Sequence, residues 1–268
     1  MKLFKYTIII SFLLSGGCET KKQTTNEQVE VIQSREFYQL KTYYFDTNEQ
    51  ETITEEYFRN SLIPALHRQN IRNIGVFKPR PHETDTTKSI LLLIPYESMG
   101  QFIGLDEALI KDSIYVATGS KFINASHENP PYSRIQSILM RAFENMSSMF
   151  TPQFEEPKAN RIYELRSYES PTEEYYKRKV AMFNEGGEIK LFDRLGFKAV
   201  FYAEVISGPN MPNLMYMTTF SDQETRDNLW KAFFDSPEWQ ELLTFPKYEH
   251  TVSHADIYFL YPADYSDY

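Results

Sequence analysis

The sequence predicts an α+β protein in which two halves repeat one plan and pack together as a single barrel, and three observations carry that prediction. Phe37-Tyr38-Gln39-Leu40-Lys41-Thr42-Tyr43 is echoed 125 residues later by Ile162-Tyr163-Glu164-Leu165-Arg166-Ser167-Tyr168, each an alternating strand pattern. A later strand in each half, Ile90 to Tyr96 and Asn213 to Thr219, runs into a helix-start signature, Ser98 with Gln101 and Ser221 with Glu224. Asp112-Ser113 and Asp235-Ser236 then mark, at nearly the same offset, a boundary between a long and a short helix.

Taken in order, each half reads strand, helix, strand, strand, helix, strand. In the first half the last strand is expected at about 133–143, after a connection containing Asn129-Pro130-Pro131-Tyr132. In the second half strands are expected at about 161–168, 198–206, 213–220 and 252–260, with helices at 172–195 and 222–234. A short helix at 236–243 begins with Pro237, whose missing N–H costs nothing in a first turn. This is the ferredoxin-like, split βαβ arrangement twice over: a first half at 35–150, a linker at 151–160 and a second half at 161–268. Each sheet carries helices on one face only, so its bare face must be buried, and packing the two sheets together buries both.

The 268 residues are 41% hydrophobic and 24% charged, with 19 Tyr and 20 Phe, ample for a substantial core. The net charge of −9 would repel a phosphate backbone, so nucleic acid is not an expected partner. Lys2 and Lys5, the apolar run Tyr6 to Leu14, and Ser15-Gly16-Gly17-Cys18 have the layout of a signal peptide over 1–17. The run is too short for a stable membrane span. Small residues before Cys18 match the bacterial lipobox, with Ser15 where Leu is commonest, so the expectation is an exported, periplasmic or cell-surface bacterial protein held to a membrane by lipid on Cys18. Residues 18–34, polar and charged, read as a tether.

Arg161 to Tyr168, Met182-Phe183-Asn184-Glu185-Gly186-Gly187-Glu188-Ile189, Phe201-Tyr202-Ala203-Glu204 and Pro212 to Met217 together resemble the NIPSNAP family, most clearly over 160–268. The resemblance implies a dimeric-α+β-barrel fold, here built within one chain, and a family whose bacterial members mostly lack an assigned activity.

Strand alternation places Glu164, Arg166 and Tyr168 on one face and Tyr163, Leu165 and Ser167 on the other. With helices over the apolar face, the polar face is expected to line the barrel interior, joined by Tyr202, Glu204, His254, Asp256 and, from the first half, Arg134 and Gln136. A charge buried there needs a partner or a ligand. The alternative is that these groups pair across the sheets or face solvent. Gly186 and Gly187 interrupt a helical stripe of Tyr176, Val180, Phe183, Gly187, Leu191 and Leu195, at a cost of roughly 1 kcal/mol each relative to Ala, which close packing, a kink or room for a ligand would offset. Glu188 and Asn184 flank this point and complete the candidate set.

No nucleophile elbow, phosphate loop or HExxH is present, and a sequence whose one cysteine is Cys18 has no thiol to catalyse with beyond it. His250 and His254 have helical metal spacing but lie at a strand entry with no third ligand nearby in sequence, so no metal and no cofactor are expected. Three readings remain: a module binding a small polar ligand, for instance a sugar-derived one, in the barrel; a cofactor-independent enzyme of oxygenase or isomerase type using the same acid and base groups; and a structural protein with helices free for homo-oligomerisation.

Overall fold

The computed structural model describes residues 34–80 and 87–268, and the expected signal peptide, the lipidation at Cys18 and nearly all of the tether lie outside these residues. Among the described residues no helix is long and apolar enough to cross a membrane.

The first half opens with strand β1 (Phe37–Phe45), then helix α1 (Asn48–Tyr57), which passes through a π-helical turn (Phe58–Leu62) into α2 (Ile63–Arg68). Strands β2 (Gly75–Pro79) and β3 (Lys88–Tyr96) follow, then α3 (Met99–Lys111), the short α4 (Ser113–Thr118) and α5 (Ser120–Ile123), and β4 (Arg134–Ala142). The second half repeats the plan with β5 (Ile162–Glu169), α6 (Glu173–Asn184), α7 (Glu188–Leu195), β6 (Lys198–Ser207), β7 (Asn213–Phe220), α8 (Gln223–Asp235), α9 (Pro237–Leu242) and β8 (His254–Pro262).

Side-chain caps start α1, α3, α4, α6, α8 and α9. Ser98 accepts from the Gln101 amide, Asp112 caps α4, and Ser236 caps α9 with Pro237 in its first turn. At α8 the cap is Asp222 rather than Ser221, because its carboxylate reaches the Thr225 amide, and the helix therefore begins one residue later than expected. The single helix expected over 172–195 is two. Gly187 has φ of +88°, a left-handed conformation open mainly to glycine, and this breaks the helix between Asn184 and Glu188. The close approach falls at Gly186, where an added Cβ would sit 2.5 Å from the Met182 carbonyl oxygen and 2.9 Å from the Tyr248 hydroxyl.

All eight strands close into one antiparallel barrel in the order β1-β3-β2-β8-β5-β7-β6-β4. Each half contributes a sheet ordered β4-β1-β3-β2 or β8-β5-β7-β6, and the seams are β2 with β8 and β4 with β6. Closure leaves no strand edge unpaired, which a four-stranded half alone could not achieve. The core is correspondingly in three large parts, with a small fourth cluster of Met182, Leu242 and Tyr248. Tyr38, Leu40, Phe77, Leu93, Tyr163, Leu165, Phe201 and Met217 fill the barrel; one layer packs under the first-half helices around Phe58, Leu66 and Leu92; another packs under the second-half helices around Phe192, Tyr216 and Trp230.

This arrangement corrects the expected orientation of the strands. Tyr163 and Leu165 point into the barrel, whereas Glu164, Arg166 and Tyr168 point toward α6–α8. The reason is partnership: α8 carries Arg226 and Trp230 to where they can donate to Glu164, while the barrel interior is filled mainly by aliphatic and aromatic side chains.

Candidate functional site

The residues nominated from sequence separate into three places. The first is a charged cluster between β5 and α8. Glu164, fully buried, accepts from Arg166 Nε at 2.6 Å, Arg226 Nε at 2.7 Å and Trp230 Nε1 at 3.0 Å. Arg166 also donates to the Tyr168 hydroxyl at 2.8 Å and stacks its guanidinium 3.7 Å from the Trp230 ring centroid, and Tyr168 shares a hydrogen bond with the Tyr216 hydroxyl. Beside it Lys179 Nζ bonds Glu188 at 2.9 Å, both side chains almost wholly buried, and burial pushes the Glu188 carboxyl above its ordinary range against the pull of Lys179. Tyr202 packs among Phe143, Phe183 and Phe192, its hydroxyl buried without a partner among the described residues. Apart from the Tyr202 hydroxyl, these groups are matched to each other or to aromatic faces, so the cluster ties a strand to its helices.

The second place is the β4–β6 seam, where Glu204 accepts from Arg35 and Arg141, each at 3.1 Å, and from the Tyr176 hydroxyl at 3.3 Å. Nearby, Asn184 ties the end of α6 to the turn after β4: its Oδ1 accepts from the Asn145 amide at 3.1 Å and its carbonyl accepts from Asn145 Nδ2 at 2.7 Å. Arg134 is not at this seam: it starts β4 opposite Tyr44 of β1, is exposed and bonds the neighbouring Ser133 carbonyl.

The third place is the one open to a ligand. At the barrel end formed by the C-terminal ends of β1, β2 and β5 and the N-terminal ends of β3, β4, β7 and β8 lies a cavity of about 280 Å³. Its floor is apolar, made by Leu40, Leu91, Ile138, Leu165, Met215 and Leu260, and its rim is polar, with Thr42, Ser89, Gln136, Ser167, Asn213 and Asp256. Pro209 and Asn210, in the β6–β7 loop, complete the wall. The opposite end is stoppered by Tyr268, whose hydroxyl donates to Met149 Sδ at 3.1 Å and whose ring packs on Phe77 and Tyr163. Polarity is thus graded from a filled interior to an open mouth, the usual character of small-molecule sites.

The mouth collects His254 and Asp256 because β8 pairs with β5 so that Asp256 stands opposite Ser167 and His254 opposite Glu169. They therefore occupy the face opposite to Arg166, not the same one. His254 Nε2 lies 3.0 Å from Asp256 Oδ1, and one ligand atom each of Glu169, His254 and Asp256 fall within 4.8 Å of one another. His250, the partner suggested by spacing, sits outside the strand with φ of +56°. Sequence reasoning missed Glu169, Ser167 and Asn213, which only cross-strand register brings to the rim; Asn213 Nδ2 donates to Ser167 Oγ at 2.8 Å, while its Oδ1 is buried with no partner among the described residues. A larger surface cleft of about 520 Å³ between α7 and α9 is lined by both Lys190 and Lys247 and Glu185 and Glu241, and its Arg194 and Glu238 already pair at 2.8 Å.

Comparison with known proteins agrees with this architecture. Residues 163–267 match the NIPSNAP family model. A protein of Lactobacillus acidophilus NCFM, provisionally named a monooxygenase, superposes with a TM-score of 0.55 at 12% identity, over 85% of this chain and 94% of its own. One of Fusobacterium nucleatum, named in the same way, gives 0.54 at 9% identity, over 86% and 93%. A NIPSNAP family protein of Agrobacterium tumefaciens, 17% identical, covers 45% of this chain and 98% of its own with a TM-score of 0.36. No curated protein matches the sequence.

Proposed function

We propose that the chain, whose residues 163–267 match the NIPSNAP family model within a one-chain α+β barrel, binds a small organic molecule in the barrel mouth, apolar at the end that enters and polar at the end that stays at the rim. One observation carries this reading: the cavity of about 280 Å³ has an aliphatic floor and a hydrogen-bonding rim that includes a buried amide oxygen on Asn213 with no partner among the described residues. A volume of this size takes a molecule on the order of one or two rings, at the small end of ordinary ligand pockets. The aliphatic floor favours such a molecule over a fully hydroxylated sugar, whose polar groups would lose water there without compensation.

The test is native mass spectrometry of the gently purified protein alongside an Ile138→Trp variant. Ile138 is only half-buried on the floor, so the larger side chain can fill the cavity without disrupting the core. An organic adduct present on the unsubstituted chain and absent from the variant supports the reading; an adduct retained by the variant places the ligand elsewhere.

A second reading, turnover without a cofactor, draws on the His254–Asp256 pair at the same rim. A carbon acid seated on the floor would meet a hydrogen-bonded imidazole able to accept a proton. The two solved structures named as monooxygenases share the fold, and that is the extent of their support. Loss of turnover with retained binding in His254→Ala would select this reading.

A further inference from the structure

We propose that Glu169, His254 and Asp256 form a divalent-cation site at the barrel mouth, suited to a first-row ion such as Zn²⁺ or Mn²⁺, with the amide oxygen of Asn213 beside it. The three side chains come from the adjoining ends of β5 and β8. His254 is the register partner of Glu169, and Asp256 follows two residues on along the same face. Their ligand atoms lie within 4.8 Å of one another, and metal–ligand bonds of about 2.1 Å span nearly that separation, so a small rotation of the half-buried Glu169 completes the set. Among the described residues neither carboxylate is paired with a lysine or arginine; the one ion-pair partner is His254 on Asp256, and a cation would take its place. Two carboxylates and an imidazole favour a borderline ion over the all-oxygen shell that Mg²⁺ or Ca²⁺ prefers.

Asn213 points independently to a ligand at this place. It is the register partner of Glu169 on the other side, on β7, and it lines the same cavity as Asp256. Its residue is 2% exposed. With Nδ2 committed to Ser167 Oγ, the amide presents an acceptor oxygen that nothing among the described residues satisfies. Buried acceptors rarely remain so. A cation held by Glu169, His254 and Asp256, or a water bound to that cation, would supply the missing partner. An ion with three protein ligands also keeps a position open toward the cavity.

This site does not depend on the organic ligand, since the ion alone can bind an empty mouth. The experiment is calorimetric titration of the untagged, chelator-treated full chain with ZnCl₂ and separately with MnCl₂. One ion per chain is expected, weakened at least about tenfold in His254→Ala and in Glu169→Gln and unchanged in His250→Ala. The His254 side chain is 59% exposed, so its removal should leave the fold intact, which circular dichroism verifies. Ile138→Trp should keep ion binding while losing the organic adduct, which separates the two proposals. Absence of saturable one-to-one binding by either ion, or equal affinity in His254→Ala, overturns the site.

Discussion

Replacing Glu164 by Ala should destabilise the protein far more than an ordinary surface change, because its removal strands a buried guanidinium. Glu164 is fully buried and receives Arg166, Arg226 and Trp230. Arg226 is partly exposed and already bonds Asp227 at 2.8 Å, so it can turn outward at little cost. Arg166 cannot: it is 7% exposed, and without Glu164 its direct contacts are the Tyr168 hydroxyl and the Trp230 face. Removing one partner of a buried ion pair costs about 3–5 kcal/mol. At about 2–4 °C per kcal/mol for a chain of this size, the melting temperature should fall by roughly 6–20 °C. Urea denaturation followed by tryptophan fluorescence measures the loss directly. The double variant Glu164→Leu/Arg166→Met should recover most of it, since apolar side chains of similar bulk remove the desolvation cost with the charges. A loss below about 1 kcal/mol for Glu164→Ala, the range of a solvent-screened pair, would refute the reasoning, as would a double variant no more stable than the single.

Two further predictions concern titration and the helix break. Burial, reinforced by the nearby Glu97 carboxylate, holds the Glu36 carboxyl above its ordinary 4.5 even though it accepts from the Met149 amide at 2.7 Å. The folded state thus holds this proton more tightly than the unfolded chain does, and the resulting stabilisation is complete below pH 4.5 and lost as pH rises through the raised folded value. Glu36→Gln keeps an acceptor for Met149 and removes the titration, so urea midpoints at several pH values should show the variant gaining on the parent as pH rises; a constant difference would count against the assignment. At the helix break, Gly187→Ala should cost about 1–2 kcal/mol for its positive φ, with open space around the new methyl. Gly186→Ala should cost more, because its methyl meets backbone at Met182, and a reversed order in urea unfolding would show that the φ constraint outweighs the contact.

The nominated residues show how far a sequence carries a site. Glu164, Arg166, Glu188 and Tyr202 were recognisable as polar groups on elements bound for burial, and they are buried; the three charged groups pair with side chains around them, while the Tyr202 hydroxyl has no partner among the described residues. His254 and Asp256 do reach the mouth, on the face opposite to Arg166. Glu169 and Asn213 carried no visible signal, since each is an ordinary polar residue at a strand end until the register sets them on either side of one another.

By itself the sequence determined what is local and periodic: the repeated strand–helix plan, the helix starts at Ser98 and Asp112, the Pro237 turn, and strand spans that agree with the fold to within about two residues. Those features depend on neighbours a few positions away, where backbone geometry and side-chain caps act directly. Tertiary structure decided which face of each strand looks inward, because alternation has a period but no sign. The sign came from α8, which brings Arg226 and Trp230 across more than sixty residues to Glu164 and so draws the charged face outward. It decided the rim of the mouth in the same way, through pairings between strands far apart in the chain, and it left one end of the barrel open while Tyr268 filled the other.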